Sequence, residues 1–375
     1  MKDKENNVQT AYIAKAYIPS TLANSVHVMK ISEAFAELTK DFVLIVPQLL
    51  DDEANSFEAY DVKPFCIETV KLAKSGTWDM YRFPIKSIWK ARKVRNIITR
   101  DPLVAFLGIL IGKHVVLDLH GDLKQLCGRA YRIIKWKWFV ENSKLHLVMI
   151  TKGLQEYYFR TYGLSKKLST VLPDGYTAKN YNDILPVTKL EKDSLNIGYC
   201  GSIRKGKGLE LIQQLAASDS ANQYNVYGGT KEKAEIEVGS SFTENVFFGG
   251  YIENAKVPQI LGEQDVLLLP NQDKQVWKGE DIGQVTSPIK MFEYMASGRI
   301  IIASDLPVLR EILNEDNCYF ASANDITDWK KCICEIVNHK QEAVSKAQKA
   351  KADVKQYTWK IRAEKMLALL NEKRA

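Results

Sequence analysis

Short apolar runs that each empty into a turn, separated by stretches of helical period, occur in two tandem sets along this chain, and no other feature restricts its fold as strongly. In the first set, Ala11-Tyr12-Ile13-Ala14 reads as a strand, Asn24 to Leu38 as a helix and Phe42 to Val46 as a strand. The pattern returns in the strand Asn96 to Thr99, the helix Pro102 to Gly112 and the strand Val115 to Leu119, then in Leu145 to Ile150 and the helix Lys152 to Tyr162. The second set runs from Leu195 to Cys200 through the helix Leu209 to Ala217, with further strands at Tyr224 to Tyr227, Val246 to Phe248 and Asp265 to Leu269. Such alternation predicts parallel sheets covered by helices on both faces. A chain of 375 residues exceeds one ordinary core and suffices for two. The expected division is an N-terminal domain over 1–180, a polar linker over 181–193, a second domain over 194–356, and a helix over 357–375 that packs back toward the first domain.

The formal charge of +7 is unevenly placed. Residues 1–175 carry 26 Lys and Arg against 18 Asp and Glu, so the whole excess lies in the first half. Arg82 to Arg100 holds seven basic residues and no acidic one. Farther on, Arg129, Arg132, Lys135 and Lys137 alternate with Tyr131, Trp136, Trp138 and Phe139. Basic residues interleaved with aromatics suit an anionic membrane surface, where rings sit at headgroup level and cations reach phosphates. The alternative is a solvated helix whose aromatics face the core. Nucleic acid is not expected, because no nucleic-acid module accompanies the charge. Met1 to Glu5 lacks the apolar core of a secretory signal, and the longest apolar run, Leu103 to Gly112, is too short to span a bilayer. A cytoplasmic protein, peripheral at the inner membrane face, is the expectation. The six cysteines are scattered, and Cys332-x-Cys334 lacks a partner set for metal, so reduced structural thiols are expected.

Two segments look built for anions. Ser287-Pro288-Ile289-Lys290-Met291-Phe292-Glu293 reads as a helix start with Lys290 in its first turn and Gly298 at its end. Backbone N–H groups and the positive end of the helix dipole favour a phosphate there. Gly201-Ser202-Ile203-Arg204-Lys205-Gly206-Lys207-Gly208 is a Gly- and Lys-rich turn between strand and helix, a second phosphate cradle. It has neither the Walker spacing nor the dinucleotide fingerprint, which argues against P-loop kinases and classical dehydrogenases.

The order of Gly201-Ser202…Lys207-Gly208, Gly249-Gly250-Tyr251, Asp265…Pro270, Ser287-Pro288-Ile289-Lys290…Glu293…Gly298 and Ala303-Ser304-Asp305-Leu306-Pro307 resembles the donor-binding half of family 4 glycosyltransferases of GT-B architecture. The first half is similar through Asn24-Ser25, Thr99-Arg100-Asp101, Asp118-Leu119-His120-Gly121 and Pro173-Asp174-Gly175. The resemblance implies two Rossmann-like doubly wound domains facing across a cleft, and retaining transfer of a hexose-type sugar from a UDP- or GDP-sugar to a lipid-linked glycan in surface polysaccharide or lipopolysaccharide assembly. No cofactor and no metal are implied, so protein groups must neutralise the departing diphosphate. Lys207, Glu293 and His120 are the implied catalytic residues, with Lys207 at the diphosphate, Glu293 at the ribose hydroxyls and His120 at the donor sugar or its phosphate. Asn24, Ser25, Arg100, Asp174, Ser202, Arg204, Tyr251, Thr286, Ser287, Pro288, Ile289 and Lys290 complete the implied donor-binding set, with Tyr251 beside the base. Val285 stands where members often carry a second glutamate, and Gly201-Ser202 replaces a common Gly-Arg, which leaves sugar contacts open. A GT-B-like sugar-nucleotide epimerase and a catalytically silent nucleotide-sugar-binding partner are the alternative readings.

Overall fold

The computed structural model describes residues 10–20, 22–49, 53–72, 79–191, 194–273, 276–277, 280–281 and 288–372. The chain forms two compact units: residues 1–173 together with 359–375, and residues 174–358.

The first unit is built on a seven-stranded sheet. Its strands run in the spatial order Ile67–Thr69, Phe42–Val46, Thr10–Ile13, Asn96–Thr99, His114–Leu119, Leu145–Met149 and Ser169–Val171, all parallel. Strand order reverses at Thr10–Ile13, which pairs with Phe42–Val46 on one side and Asn96–Thr99 on the other. The C-terminal helix Trp359–Asn371 packs on the helix Ala23–Leu38 and on the strands 114–119 and 145–149.

The second unit has a six-stranded parallel sheet in the order Val246–Gly250, Gln223–Tyr227, Asn196–Cys200, Val266–Leu269, Ile300–Ser304 and Tyr319–Ala321. The strand Val266–Leu269 and its neighbour over Ile300–Ala303 are apolar at every position because both faces are covered. Val266, Leu268, Ile300 and Ile302 enter one core with Leu215, Trp329 and Ile336. The intervening Leu267, Leu269, Ile301 and Ala303 enter a core on the other face with Met291, Phe292 and Met295. Again the order reverses at the first strand, since 196–200 lies between 223–227 and 266–269. Parallel sheets bind ligands beyond the carboxyl ends of the strands at such a reversal.

The boundary between units differs from the sequence expectation. The second unit begins at Asp174, not after a linker that starts at 181. Polarity suggested a free connection, but Tyr176 and Tyr181 stack edge to face and are buried in the second unit's core, and Val187 and Leu190 are buried there too. A few large side chains in a polar stretch suffice to bind it to the domain. The basic aromatic stretch also departs from a single helix. It is a 3-10 segment, Gly128–Lys135, followed by the short helix Lys137–Val140, with Phe139 buried and Trp136 and Trp138 exposed. Among the described residues no helix is long and apolar enough to cross a membrane.

Candidate active site

The strongest concentration of unusual chemistry lies where the strand 196–200 ends in the second unit. The turn that follows is held tightly to its neighbours: Gly201 donates its N–H to Tyr227 O at 2.9 Å, and Gly228 donates to Gly250 O at 2.7 Å. Gly228 has φ 118°, and a Cβ there would lie 1.9 Å from Gly201 O. Gly208 has φ 81° at the start of the helix Leu209–Ser218, and a Cβ on it would lie 2.1 Å from Pro270 O. Both positions need glycine for conformation and for space. The loops after strands 196–200, 223–227, 246–250 and 266–269 are thus packed backbone to backbone.

Two lysines converge on this corner. Burial, reinforced by Arg204, pushes the Lys207 amine down to about 8. Lys290, in the first turn of the helix Ile289–Ser297, has a buried Nζ with no hydrogen-bond partner among the described residues. That amine lies 4.2 Å from the centroid of the Tyr199 ring. Burial first, and the charge of Lys207 second, hold it well below the ordinary lysine range. A buried cation beside a second cation is unfavourable in the unliganded protein and becomes favourable when an anion arrives.

The Ile289–Ser297 helix is anchored by Tyr294, whose hydroxyl accepts from Cys200 N at 2.8 Å and donates to Cys200 O at 3.2 Å. Pro288 occupies the position before the first helical residue with an extended backbone, so the proline precedes the helix instead of starting it. Gly298 closes the helix in the left-handed conformation, φ 66°. Glu293 is half-buried, close enough to Cys200 that its charge adds to burial in pushing the thiol up to about 12. Ser202 and Arg204 are exposed on the Gly-rich turn, and Tyr251 is exposed just beyond Gly250. Asp174 is buried where the second unit begins. Thr286 and Ser287, like Val285, lie outside the described residues.

The first unit gathers a different set at the ends of its strands. His120, directly after the strand 114–119, shares its Nε2 proton with Asp118 Oδ2 at 2.8 Å. Its Nδ1 meets the Arg100 guanidinium, which also donates to Asn24 Oδ1. Since arginine can only donate, Nδ1 is the acceptor and Nε2 carries the hydrogen, which defines a neutral tautomer. Asp118 in turn receives Arg362 from the C-terminal helix, Nη2 to Oδ1 at 2.8 Å and Nη1 to Oδ2 at 3.2 Å. Arg362 also donates from Nε to Pro173 O at 3.1 Å. Both members of this pair are buried, and Arg362 and His120 together hold the Asp118 carboxyl well below the usual range against the opposing effect of burial.

This unit brings together Asn24, Arg100 and His120 but corrects two expectations. Ser25 is buried, and its hydroxyl donates inward to Tyr17 O at 3.0 Å, so it presents nothing to a ligand. His120 has both ring nitrogens engaged, and it can contact a sugar through Nδ1 only if Arg100 turns aside. His27 packs edge-on against His120 and Trp359, with centroids 4.5 and 4.9 Å away. His27, Asp118 and His120 bring ligand atoms within 4.8 Å of one another, yet both Asp118 oxygens are already committed to Arg362 and His120. Arg362, Tyr199 and Tyr294 were not picked out from sequence, and Asp118 entered only as part of the motif around His120. Arg362 had a legible signal, a charge on the apolar face of an amphipathic helix.

Two parallel α/β units, each with polar residues at the carboxyl ends of its strands, are the architecture of the GT-B fold. Residues 194–339 match the family model described as Glycosyl transferases group 1. Solved structures of the same fold include sucrose-phosphate synthase from Thermosynechococcus elongatus, 16% identical over 97% of this chain and 98% of that one, TM-score 0.71. HepE of Anabaena, in complex with UDP and glucose, is 13% identical over 97% of this chain and 100% of that one, TM-score 0.72. The lipopolysaccharide outer core galactosyltransferase WaaB is 15% identical over 98% of this chain and 100% of that one, TM-score 0.67. At these identities the likeness is one of fold. No curated protein matches the sequence.

Proposed function

We propose that this chain is a retaining hexosyltransferase that takes its sugar from a UDP- or GDP-sugar and passes it to a lipid-linked glycan in surface polysaccharide assembly. The observation that carries the reading is the buried Lys290 amine, with no hydrogen-bond partner among the described residues and beside Lys207, at the carboxyl end of the strand 196–200. Two desolvated cations at a strand-order reversal call for a ligand with concentrated negative charge, and a departing nucleoside diphosphate supplies it. Lys207 and Lys290 neutralise the leaving group, so the reading needs no metal. Backbone N–H groups of Ile289 and Lys290, in the first turn of the helix Ile289–Ser297, hold its oxygens. Glu293 accepts from the ribose hydroxyls, Tyr251 lies beside the base, and Arg204 supplies a further cation. The solved HepE complex with UDP and glucose and the galactosyl transfer named for WaaB support this choice of ligand class.

The test incubates the protein with UDP-, GDP- and ADP-sugars and measures nucleotide release with and without a lipid-linked glycan acceptor. One donor is expected to release nucleotide faster when acceptor is present. Tight binding of a nucleotide sugar without release or transfer would overturn the reading in favour of a silent binding partner.

A further inference from the structure

The helix Asp79–Lys90 has two apolar faces, and only one of them is needed by the fold. Phe83, Ser87 and Ile88 are buried inward. On the other side Tyr81, Ile85 and Trp89 follow one another at helical spacing and face solvent, with Ile85 59% and Trp89 65% exposed. This helix packs on Pro102–Leu110, at whose end Leu110 and Ile111 are also exposed. Phe106 of the second helix meets Trp136 at 5.5 Å and Trp138 at 6.2 Å, both exposed. The apolar surface therefore extends over three neighbouring elements of the first unit, more than scattered exposed residues produce.

Its surroundings are mainly cationic, although Asp79 opens the helix and Glu68 pairs with Lys90 at 3.0 Å. Residues 80–140 contain 13 Lys and Arg, and their only acids are Asp101, Asp118 and Asp122, none of them exposed. The Arg92 guanidinium stacks 4.2 Å above the Trp89 ring, which keeps its charge at the rim of the apolar stripe. Lys86, Lys93, Arg129, Arg132, Lys135 and Lys137 are exposed around it. Glu141, which follows this stretch, lies 3.9 Å from Lys137. A polyanion such as nucleic acid would use the cations and leave Ile85, Leu110 and Ile111 idle. A layer of anionic headgroups over acyl chains uses both, with tryptophans at the boundary between them.

We propose that this face, formed by Tyr81, Ile85, Trp89, Leu110, Trp136 and Trp138 within a ring of basic residues, docks the first unit onto an anionic lipid bilayer. The proposal deepens the reading above, on which it rests for the lipid-linked acceptor, by naming where the membrane that carries the acceptor is met. The docking face extends well beyond the Arg129–Lys137 stretch legible in sequence.

The full chain is floated with vesicles of phosphatidylcholine alone and of phosphatidylcholine with phosphatidylglycerol, at low and high salt, while nucleotide release is assayed on the same preparations. Binding to the anionic vesicles only, weakened by salt, is expected. Changing Arg129, Arg132, Lys135 and Lys137 to Gln should weaken partitioning several hundredfold, at roughly fivefold for each charge near the surface. The variant Tyr81→Ser/Ile85→Ser/Trp89→Ser should lose on the order of a hundredfold, since burying even one such side chain is worth more than tenfold. Failure of the parent to float, equal flotation of the triple variant, or a dimer in light scattering that the triple variant dissolves would each overturn the proposal. Flotation without nucleotide release would leave the docking face standing and sink the donor reading instead.

Discussion

Replacing Lys290 with Met should move stability and ligand affinity in opposite directions. Methionine matches the unbranched lysine stem, keeps the packing against the Tyr199 ring and removes a buried amine that has no hydrogen-bond partner among the described residues. Desolvating an unpaired cation costs several kcal/mol, of which the ring at 4.2 Å recovers about 2. Relief of the remainder, together with the lost repulsion from Lys207, should stabilise the unliganded second unit by on the order of 1 kcal/mol. In calorimetry this is a rise in Tm of roughly 2–4 °C for a unit of this size. A charged hydrogen bond to a diphosphate is worth about 1.5–3 kcal/mol, so UDP affinity by titration calorimetry should fall by roughly tenfold to more than a hundredfold. A variant that melts lower than the parent and binds UDP equally well would show a lysine retained for the fold, and the anion-site argument would fail.

The titration of Lys207 gives a second readout at the same corner. With its amine down at about 8 in the unliganded protein, UDP affinity should decline as pH rises through 8, with proton uptake on binding; Lys207→Met should be flat over that interval. Because the unfolded chain holds this proton to a higher pH, stability of the unliganded protein should rise between pH 8 and about 10, and a fall attributable to Lys207 would contradict the assignment. In the first unit, Arg362→Leu leaves Asp118 buried without its guanidinium and should cost about 3–5 kcal/mol by chemical denaturation at pH 7. The folded pKa of Asp118 is depressed by Arg362, so its contribution is present above about 3.9 and is lost as pH falls through the folded value. In the variant burial raises that pKa, and the deficit should shrink as pH is lowered; a deficit independent of pH would refute the account. Gly228→Ala, with a Cβ 1.9 Å from Gly201 O, should cost more than about 2 kcal/mol, whereas Gly163→Ala, where a Cβ at φ 68° meets nothing within 4 Å, should cost about 1. Equal melting of the two variants would show that the close approach of the two loops does not matter.

Much of this molecule was readable from local pattern. Strand and helix alternate where the apolar period does, and the strands 10–13, 42–46, 96–99 and 196–200 fall within a residue or so of expectation. Local pattern failed where few side chains decide. Tyr176 and Tyr181 pull a polar connection into the second unit, although nothing in their neighbourhood has a period. Ser25 belongs to a motif that suggested a ligand contact, but a strand end near it in space, at Tyr17, takes its hydroxyl.

The candidate site divides in the same way. Glycine and lysine spacing in 201–208 and the Pro288 to Glu293 segment could be read as anion-binding because helix starts and Gly-rich turns carry that chemistry in their own backbone. That Lys207 and Lys290 share one buried corner, with Tyr199 beneath the second amine, depends on residues more than 80 positions apart meeting at a strand end. Arg362 reaches Asp118 across 244 positions, and Asp118 and Arg100 on opposite sides of the His120 ring fix its neutral tautomer. Backbone propensity and apolar period act over a few residues, so they determined the doubly wound units and the class of anion site. Burial and pairing of charge act through space, so only packing decided which lysine is desolvated, which histidine nitrogen carries its proton, and which aromatic side chains remain outside.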